Sequence, residues 1–131
     1  HLSRNGKSTL SFKNALLDKS RSVFSGLIKV ENDAQNTNAY QTNRNLLLSD
    51  NAEADSMPGL EILANEVKCS HGATTSKIDE QELFYLLSRG ISRSVAERLI
   101  VLGFFEEVIE KINLDKYLEE VRESIAQSFA S

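Results

Sequence analysis

Residues 67–78 read Val-Lys-Cys-Ser-His-Gly-Ala-Thr-Thr-Ser-Lys-Ile and separate two parts of the chain that have different patterns. Before this stretch, short β-type runs alternate with polar turns, and after it apolar residues recur at helical spacing. The stretch also holds the only cysteine of the 131-residue chain and one of its two histidines. It therefore marks both the predicted change of secondary structure and the residues best suited to bind a metal.

Short apolar runs bounded by Asn, Asp, Gly or Pro occupy the first part of the chain, as is typical of β-strands. The predicted strands are residues 23–30, 45–49, 60–64, 67–69 and 73–78. Residues 1–11 are small and polar without a period, and we interpret them as a loop or a frayed first strand. Most asparagines lie within residues 1–78, where they suit sharp corners because asparagine tolerates left-handed backbone.

Two architectures use many short strands with polar corners: an antiparallel sandwich or barrel, and a solenoid. The hairpin signal Asn-Gly occurs at Asn5-Gly6 and not between the main runs. Strand centres near Ile28, Leu47 and Ile62 recur every 15 to 19 residues, roughly the length of one coil of a β-helix. The pattern therefore favours a solenoid, in which each coil stacks on its neighbours.

Helical spacing begins at residues 79–82, Asp-Glu-Gln-Glu, which predict a capped helix start, and Arg89-Gly90 predicts the end of that helix. Ser92 is predicted to cap a second helix that is kinked or divided at residues 103–105, Gly-Phe-Phe, and Asp115 to begin a third. The residues predicted to lie on the buried side of the second helix are Val95, Leu99, Leu102, Val108, Ile109 and Ile112. The chain is thus divided into strands over residues 1–78 and a helical domain over residues 79–131.

Composition and charge exclude several classes of protein. The net charge is −4, and no basic cluster is present, which argues against nucleic-acid binding. No apolar run approaches the roughly 18 residues of a membrane span, and a single cysteine precludes an internal disulfide and suits a reducing compartment. There is no Walker phosphate-binding loop. Because the first residue is His1 and not Met, we expect the sequence to begin inside a longer protein.

Cys69 and His71 are the candidate metal ligands. Their i, i+2 spacing places both side chains on the same face of a strand, where a thiolate and an imidazole could bind iron, zinc or copper. Two ligands do not complete a tetrahedral site, so a second chain or an external ligand would have to supply the others. The alternative is a small buried cysteine beside a hydrogen-bonded histidine. A nucleophilic Cys–His pair is disfavoured because no oxyanion-hole signature accompanies it.

Two other groups of residues permit a functional and a structural interpretation. Asp50, Glu53 and Asp55 could line a carboxylate groove of the kind found in β-helical sugar-cleaving enzymes, although exposed corner carboxylates are the simpler interpretation. Phe104 and Phe105 either belong to the core or anchor a partner protein at the predicted helix interruption.

The chain resembles the SufB/SufD family of iron–sulfur cluster assembly proteins in several stretches that follow the family's order over residues 12–115. They are residues 20–26 (Ser-Arg-Ser-Val-Phe-Ser-Gly), 39–48 (Ala-Tyr-Gln-Thr-Asn-Arg-Asn-Leu-Leu-Leu), 60–62 (Leu-Glu-Ile), 67–74 (Val-Lys-Cys-Ser-His-Gly-Ala-Thr), 83–86 (Leu-Phe-Tyr-Leu) and 88–91 (Ser-Arg-Gly-Ile). Within the family the chain looks like SufD. It has Asn43 where SufB typically has a cluster-related cysteine, and Gly72 where SufB has Glu after the histidine. A SufB-like protein that acts as a homodimer is the alternative.

The resemblance implies the last coils of a right-handed parallel β-helix followed by a C-terminal helical domain, that is, the C-terminal part of a family member. It implies a heterodimer with SufB, and docking of the ATPase SufC on helices between Asp79 and Ile112, with Phe104 and Phe105 as candidate contacts. It also implies that His71, with Cys69 as a candidate, lies at the SufB–SufD interface and shares iron or a nascent cluster there.

On this interpretation the chain is not an enzyme and holds no cofactor stably by itself. We expect a cytoplasmic protein, or a protein of the plastid stroma in a eukaryote. A homodimer formed through an exposed coil end is a further expectation. The rival hypothesis is a purely structural platform that holds SufB and SufC without a ligand of its own.

Overall fold

The computed structural model describes residues 1–112 and 115–129, so residues 113, 114, 130 and 131 of the predicted helical domain lie outside the described residues. Five strands precede three helices. The strands are β1 (Lys7–Leu16), β2 (Arg21–Val30), β3 (Thr37–Leu47), β4 (Glu53–Ile62) and β5 (Val67–Lys77), and the helices are α1 (Glu80–Ser88), α2 (Arg93–Ile109) and α3 (Asp115–Ser128). The predicted order of strands and then helices is confirmed.

Consecutive strands alternate between two sheets. Sheet A has the order β1-β3-β5 and sheet B the order β2-β4, and every pair is parallel. Lys7 lies opposite Asn38 and Arg21 lies opposite Glu53, so the chain returns to the same sheet after about 31 residues. The predicted repeat of 15 to 19 residues is therefore wrong, because it measures the step from one sheet to the other and not the full repeat.

The strands are longer than predicted, at 10 or 11 residues each. β1 includes residues 7–11, which were predicted to be a loop or a frayed first strand, because Ser and Thr occupy strand positions here. β4 runs through Met57-Pro58-Gly59 without a break. Within the described residues β4 has a partner on one side only, and a proline is tolerated in such an edge strand.

The core lies between the two sheets and consists of small and branched aliphatic side chains. Ile28 and Val30 of β2 pack there with Ala34, Ala39 and Ala64, and Ile62, Val67 and Cys69 cover this cluster. Further along β3 the same inward face is polar, since Gln41, Asn43 and Asn45 are all buried. The interior is therefore apolar where the strands of sheet A start and those of sheet B end, and it is polar further along β3.

The predicted ends of α1 are confirmed. The Asp79 carboxylate accepts hydrogen bonds from the backbone amides of Gln81 and Glu82, which satisfies two amide groups that have no partner inside the helix. The helix ends before Gly90, whose φ of 82° is a left-handed conformation that glycine adopts without strain.

Helix α2 is continuous through residues 103–105, so the predicted division of the helix at this point is wrong. A single glycine within a helix costs only about 1 kcal/mol, which packing of the neighbouring phenylalanine side chains can offset. The predicted buried side is also partly wrong, since Val95 and Leu99 are 40% and 46% exposed. The helix instead buries the side that carries Ala96, Val101 and Ile109.

Helix α3 begins at Asp115, as predicted. The Arg122 guanidinium of α3 pairs with the Glu106 carboxylate of α2. This contact raises the pKa of Arg122 and lowers that of Glu106, chiefly through the side-chain hydrogen bond. Among residues 1–112 and 115–129, no helix is both long and apolar enough to cross a membrane.

Candidate functional site

Strand β5 carries both candidate metal ligands on its inward face. Cys69 lies opposite Ala39 of β3 and His71 lies opposite Gln41. Both of those β3 residues are buried between the sheets, and paired residues of parallel strands share a face. The i, i+2 spacing therefore places the thiol and the imidazole on one side of the sheet.

The two side chains differ in exposure. Cys69 is a free thiol that is half-buried and packs against the aliphatic core. His71 is exposed, because β5 is an edge strand of sheet A and sheet B has no third strand over it within the described residues. The His71 imidazole makes no hydrogen bond or ion pair with any described residue. The alternative interpretation, a buried cysteine beside a hydrogen-bonded histidine, requires such a bond.

A complete metal site is not assembled by the residues that the structure describes. No three His, Cys, Asp or Glu side chains of residues 1–112 and 115–129 cluster in a way that could hold a metal ion. Cys69 and His71 are thus two donors on an open sheet edge, which offer part of a coordination sphere to whatever packs against β5.

Asn43 is part of a buried amide network and offers no free ligand group. Its Nδ2 donates to the Ser56 hydroxyl at 2.9 Å, and its Oδ1 accepts from Asn14 Nδ2 at 3.3 Å. Asn14 also donates to Asn45 at 2.8 Å, so three neighbouring amides satisfy one another in the interior. The Asn43 side chain therefore fills space between the sheets as part of a hydrogen-bonded network.

The carboxylates that suggested a sugar-cleaving groove are bound in surface ion pairs. Arg21 pairs with Asp55 at 2.6 Å and with Glu53 at 3.7 Å, while Asp50 accepts from Lys77 at 2.5 Å. The Lys77 contact lowers the pKa of Asp50, chiefly through its hydrogen bond. Glu53 and Asp55 lie on sheet B and Asp50 lies beside β5, so the three do not face one another as an acid and a base would.

Phe104 serves as an internal contact between α2 and sheet A. The Lys13 ammonium lies 4.9 Å from the centre of the Phe104 ring and donates to the Phe104 carbonyl oxygen at 2.7 Å. Lys13 also pairs with Glu107 at 2.7 Å, and Arg44 pairs with the same carboxylate at 2.8 Å. We call Lys13, Arg44, Phe104 and Glu107 the α2 anchor. Phe105 is half-buried and its ring lies 5.3 Å from that of Phe104.

The α2 anchor has a strong electrostatic component. The Lys13 side chain is only 3% exposed, so its ammonium depends on Glu107 and the Phe104 carbonyl for hydrogen bonds. The hydrogen bond and charge of Lys13, with a smaller contribution from Lys111, lower the pKa of Glu107 to about 2. The carboxylate therefore remains ionised over the physiological pH range.

Two exposed aromatic residues of α1 were not predicted from the sequence to be functional. Phe84 is 71% and Tyr85 is 56% exposed on α1, beside the buried Leu83. Their signal in the sequence was weak, because both fall next to the apolar stripe of a nine-residue helix and resemble part of it. Arg89 lies 5.2 Å from the Tyr85 ring centre and covers one side of it.

The family of the chain follows from a comparison over most of its length. Residues 1–104 match the model of the core domain shared by SufB and SufD, in the SUF system of iron–sulfur cluster assembly. The chain belongs to the SufBD family. The family assignment that the sequence motifs predicted is thereby confirmed.

Several SufBD family proteins share about four in ten residues with this chain. It is 44% identical over 115 residues to the iron–sulfur cluster assembly protein SufD of Escherichia coli, a match that covers 88% of this chain and 27% of the relative. It is 42% identical over 106 residues to a SufBD family protein of Synechocystis, covering 81% and 23%. It is 41% identical over 105 residues to the chloroplastic protein ABCI7 of Arabidopsis thaliana, covering 80% and 22%. The chain spans about a quarter of the length of these relatives.

Proposed function

We propose that this SufBD family chain acts as a SufD-like component of iron–sulfur cluster assembly and contributes His71, with Cys69, to a site completed by a SufB-like partner. One observation carries the proposal: an exposed imidazole without an intrachain partner among the described residues lies on the edge strand β5. Imidazole and thiolate suit iron, and an edge strand is where a second chain can supply the remaining ligands. Iron or the nascent cluster is the cargo of this site.

The proposed architecture behind the site is a right-handed parallel β-helix. Alternation of consecutive strands between two parallel sheets is what a coil of two strands per turn produces, and crossovers between parallel strands are almost always right-handed. The inward face of β5 would then be the open end of the coil. A partner strand that pairs with β5 would close this end and cover His71 and Cys69.

We further propose that the helices dock the ATPase SufC. Phe84 and Tyr85 provide an exposed aromatic surface on α1, and the α2 anchor joins the neighbouring helix to sheet A. ATP hydrolysis by SufC would move α1 and α2, and the anchor would transmit that movement to the strands. The chain itself would catalyse no reaction, and it would act in the cytoplasm or, in a eukaryote, in the plastid stroma.

Two alternatives remain distinct from this proposal. A SufB-like homodimer would place two copies of His71 and Cys69 opposite each other and would need no separate SufB. A purely structural platform would hold its partners through β5 and α1 but would tolerate the loss of His71.

The test is co-expression of the full-length protein with SufB and SufC, followed by anaerobic measurement of iron and sulfide in the purified complex. His71→Ala should leave the complex assembled and reduce its iron and sulfide content about tenfold, because a ligand of the shared site is lost. Ser70→Ala is the matched control, since Ser70 is exposed on the opposite face of the same strand. Unchanged cluster content in the His71 variant would favour the structural platform.

A further inference from the structure

The outer face of sheet A carries mostly side chains with hydrogen-bond donor groups, in rows that run across all three strands. Its first row is Lys7, Asn38 and Lys68, which are paired in register from β1 through β3 to β5. The following rows are Thr9, Tyr40 and Ser70, and then Ser11, Thr42 and Gly72. We call these nine residues the donor face. None of them is acidic, and the first row places two ammonium groups on either side of an amide.

The two lysines of the donor face have no anionic partner inside the described chain. Lys7 and Lys68 are both exposed, and neither makes an ion pair or a side-chain hydrogen bond within residues 1–112 and 115–129. The two lysines lie on either side of β3, so an anion above Asn38 would interact favourably with both ammonium groups.

A second basic row lies at the other end of the same face of sheet A, and there the fold supplies an anionic partner. Lys13 and Arg44 are also paired in register, and α2 places Glu107 against both of them. Helix α2 therefore supplies a carboxylate to the basic row at the strand ends. No helical carboxylate of residues 80–112 or 115–129 pairs with the basic row at the strand starts. Within the described residues, neither Lys7 nor Lys68 is paired with a carboxylate in this way.

A cavity of about 480 Å³ lies at the first row of the donor face. Lys7, Asn38 and Lys68 line it together with Asn65 and Glu66 from the turn before β5. Glu66 is the one carboxylate in the lining, so two cations face one anion there. The volume suits a small ligand and not a protein segment.

We propose that this cavity binds a small anion that carries phosphate groups, held between Lys7 and Lys68 with the Asn38 amide beneath it. The two lysines stand two strand spacings apart, roughly 10 Å, and their flexible side chains can converge on one diphosphate-sized group. Lysine binds phosphate as a point charge, and the hydroxyl and amide groups around it add neutral donors. This site is on the opposite face of the sheet from His71 and does not depend on the proposed role in cluster assembly.

The test is a titration of the 131-residue chain with inorganic pyrophosphate, in which NMR spectroscopy monitors the backbone amide chemical shifts. Saturable shifts should centre on Lys7, Asn38 and Lys68. The double variant Lys7→Gln/Lys68→Gln should weaken binding about tenfold, because two charge-assisted contacts are lost. Glu66→Gln should tighten binding, because it removes the one carboxylate from the cavity.

Lys19→Gln is the matched control, since Lys19 is an exposed lysine in the turn between β1 and β2 and has no ion pair within the described residues. It should bind pyrophosphate like the unmodified chain, and circular dichroism should show all variants folded. If Lys19→Gln weakens pyrophosphate binding as much as the double variant does, or if Glu66→Gln leaves the affinity unchanged, binding reflects only general charge attraction. Either result would overturn the proposal. Binding of a glutamate-rich peptide without binding of pyrophosphate would overturn it in favour of a protein partner.

Discussion

Asparagine has two separate roles in this chain, and they depend on the position of each residue. Asn5 and Asn36 have φ values of 58° and 61° at corners, a left-handed conformation that asparagine tolerates better than most residues. Asn14, Asn43 and Asn45 lie instead within strands and join their amides between the sheets. Corner chemistry alone therefore explains only some of the asparagines. The buried amides of Asn43 and Asn45 are tolerated in the interior because they are hydrogen-bonded there, whereas an unsatisfied amide would be destabilising.

Gly26 leaves room for the buried side chain of Gln41. A Cβ atom at position 26 would lie 2.1 Å from Gln41 Nε2 and 2.8 Å from the Phe24 ring. Gln41 is 2% exposed, so its amide has little space into which it could retreat. We expect Gly26→Ala to lower the free energy of unfolding by about 1 to 3 kcal/mol through overpacking, measured by urea denaturation.

Gly103→Ala provides the matched control for that substitution. A Cβ at position 103 meets no atom within 4 Å, and the residue lies inside α2. Alanine favours the helix by about 0.5 to 1 kcal/mol over glycine, so this variant should be slightly more stable than the unmodified chain. Equal stability of the Gly26→Ala variant and the unmodified chain would show that Gln41 can move without cost.

The α2 anchor connects helix α2 to sheet A, and its Glu107 carboxylate makes this contact sensitive to acid. The pKa of Glu107 is lowered to about 2 in the folded chain, from an ordinary value near 4.5. A carboxyl with a depressed folded pKa stabilises the fold above its unfolded pKa, and this contribution is lost as the pH falls from about 4.5 to about 2. Because the Glu107 side chain is 52% exposed, solvent and salt reduce the size of the effect.

Glu107→Gln should therefore lower the melting temperature at neutral pH, and the difference from the unmodified chain should shrink below pH 4.5. Thermal unfolding followed by circular dichroism at several pH values measures both effects. Glu110→Gln is the control, because Glu110 is exposed at the end of the same helix and has no ion pair within the described residues. If the difference in melting temperature between Glu107→Gln and the unmodified chain is the same at every pH, the loss of stability arises from packing and not from charge.

At the scale of the whole molecule, the helices present a surface that the strands do not use. Phe84 is the most exposed aromatic residue within residues 1–112 and 115–129, and burial of an exposed aromatic residue is a common source of binding energy. We expect Phe84→Ala to weaken SufC binding by about 2 kcal/mol, close to thirtyfold, without a change in melting temperature. Surface plasmon resonance with the purified SufC protein measures the affinity.

Leu27→Ala is the control for partner binding, since Leu27 is 60% exposed on the outer face of sheet B, away from α1. Its affinity for SufC should equal that of the unmodified chain. Phe104→Ala should behave differently from both, because Phe104 belongs to the α2 anchor and its loss should lower the melting temperature. If Phe84→Ala binds SufC as tightly as the unmodified chain does, the proposed docking surface does not include this part of α1.

Much of this molecule could be predicted from short stretches of sequence. The start of α1 at Asp79 and its end before Gly90 depend on hydrogen bonds and backbone angles within a few residues. The shared face of Cys69 and His71 follows from the two-residue period of a strand. The continuity of α2 was not predicted, because glycine and two phenylalanines are ambiguous until the contact of Phe104 with sheet A is known.

The sequence by itself determined the order of strands and helices, both ends of α1, the start of α3, the SufBD family and the shared strand face of Cys69 and His71. These features depend on local periodicity, local capping and short motifs. Only the tertiary structure decided that the strands divide into two sheets, that Phe104 and Glu107 contact Lys13, and that Lys7, Asn38 and Lys68 form one row. Those contacts join residues some 30 to 90 positions apart, and strand register across such distances leaves no local pattern in the sequence.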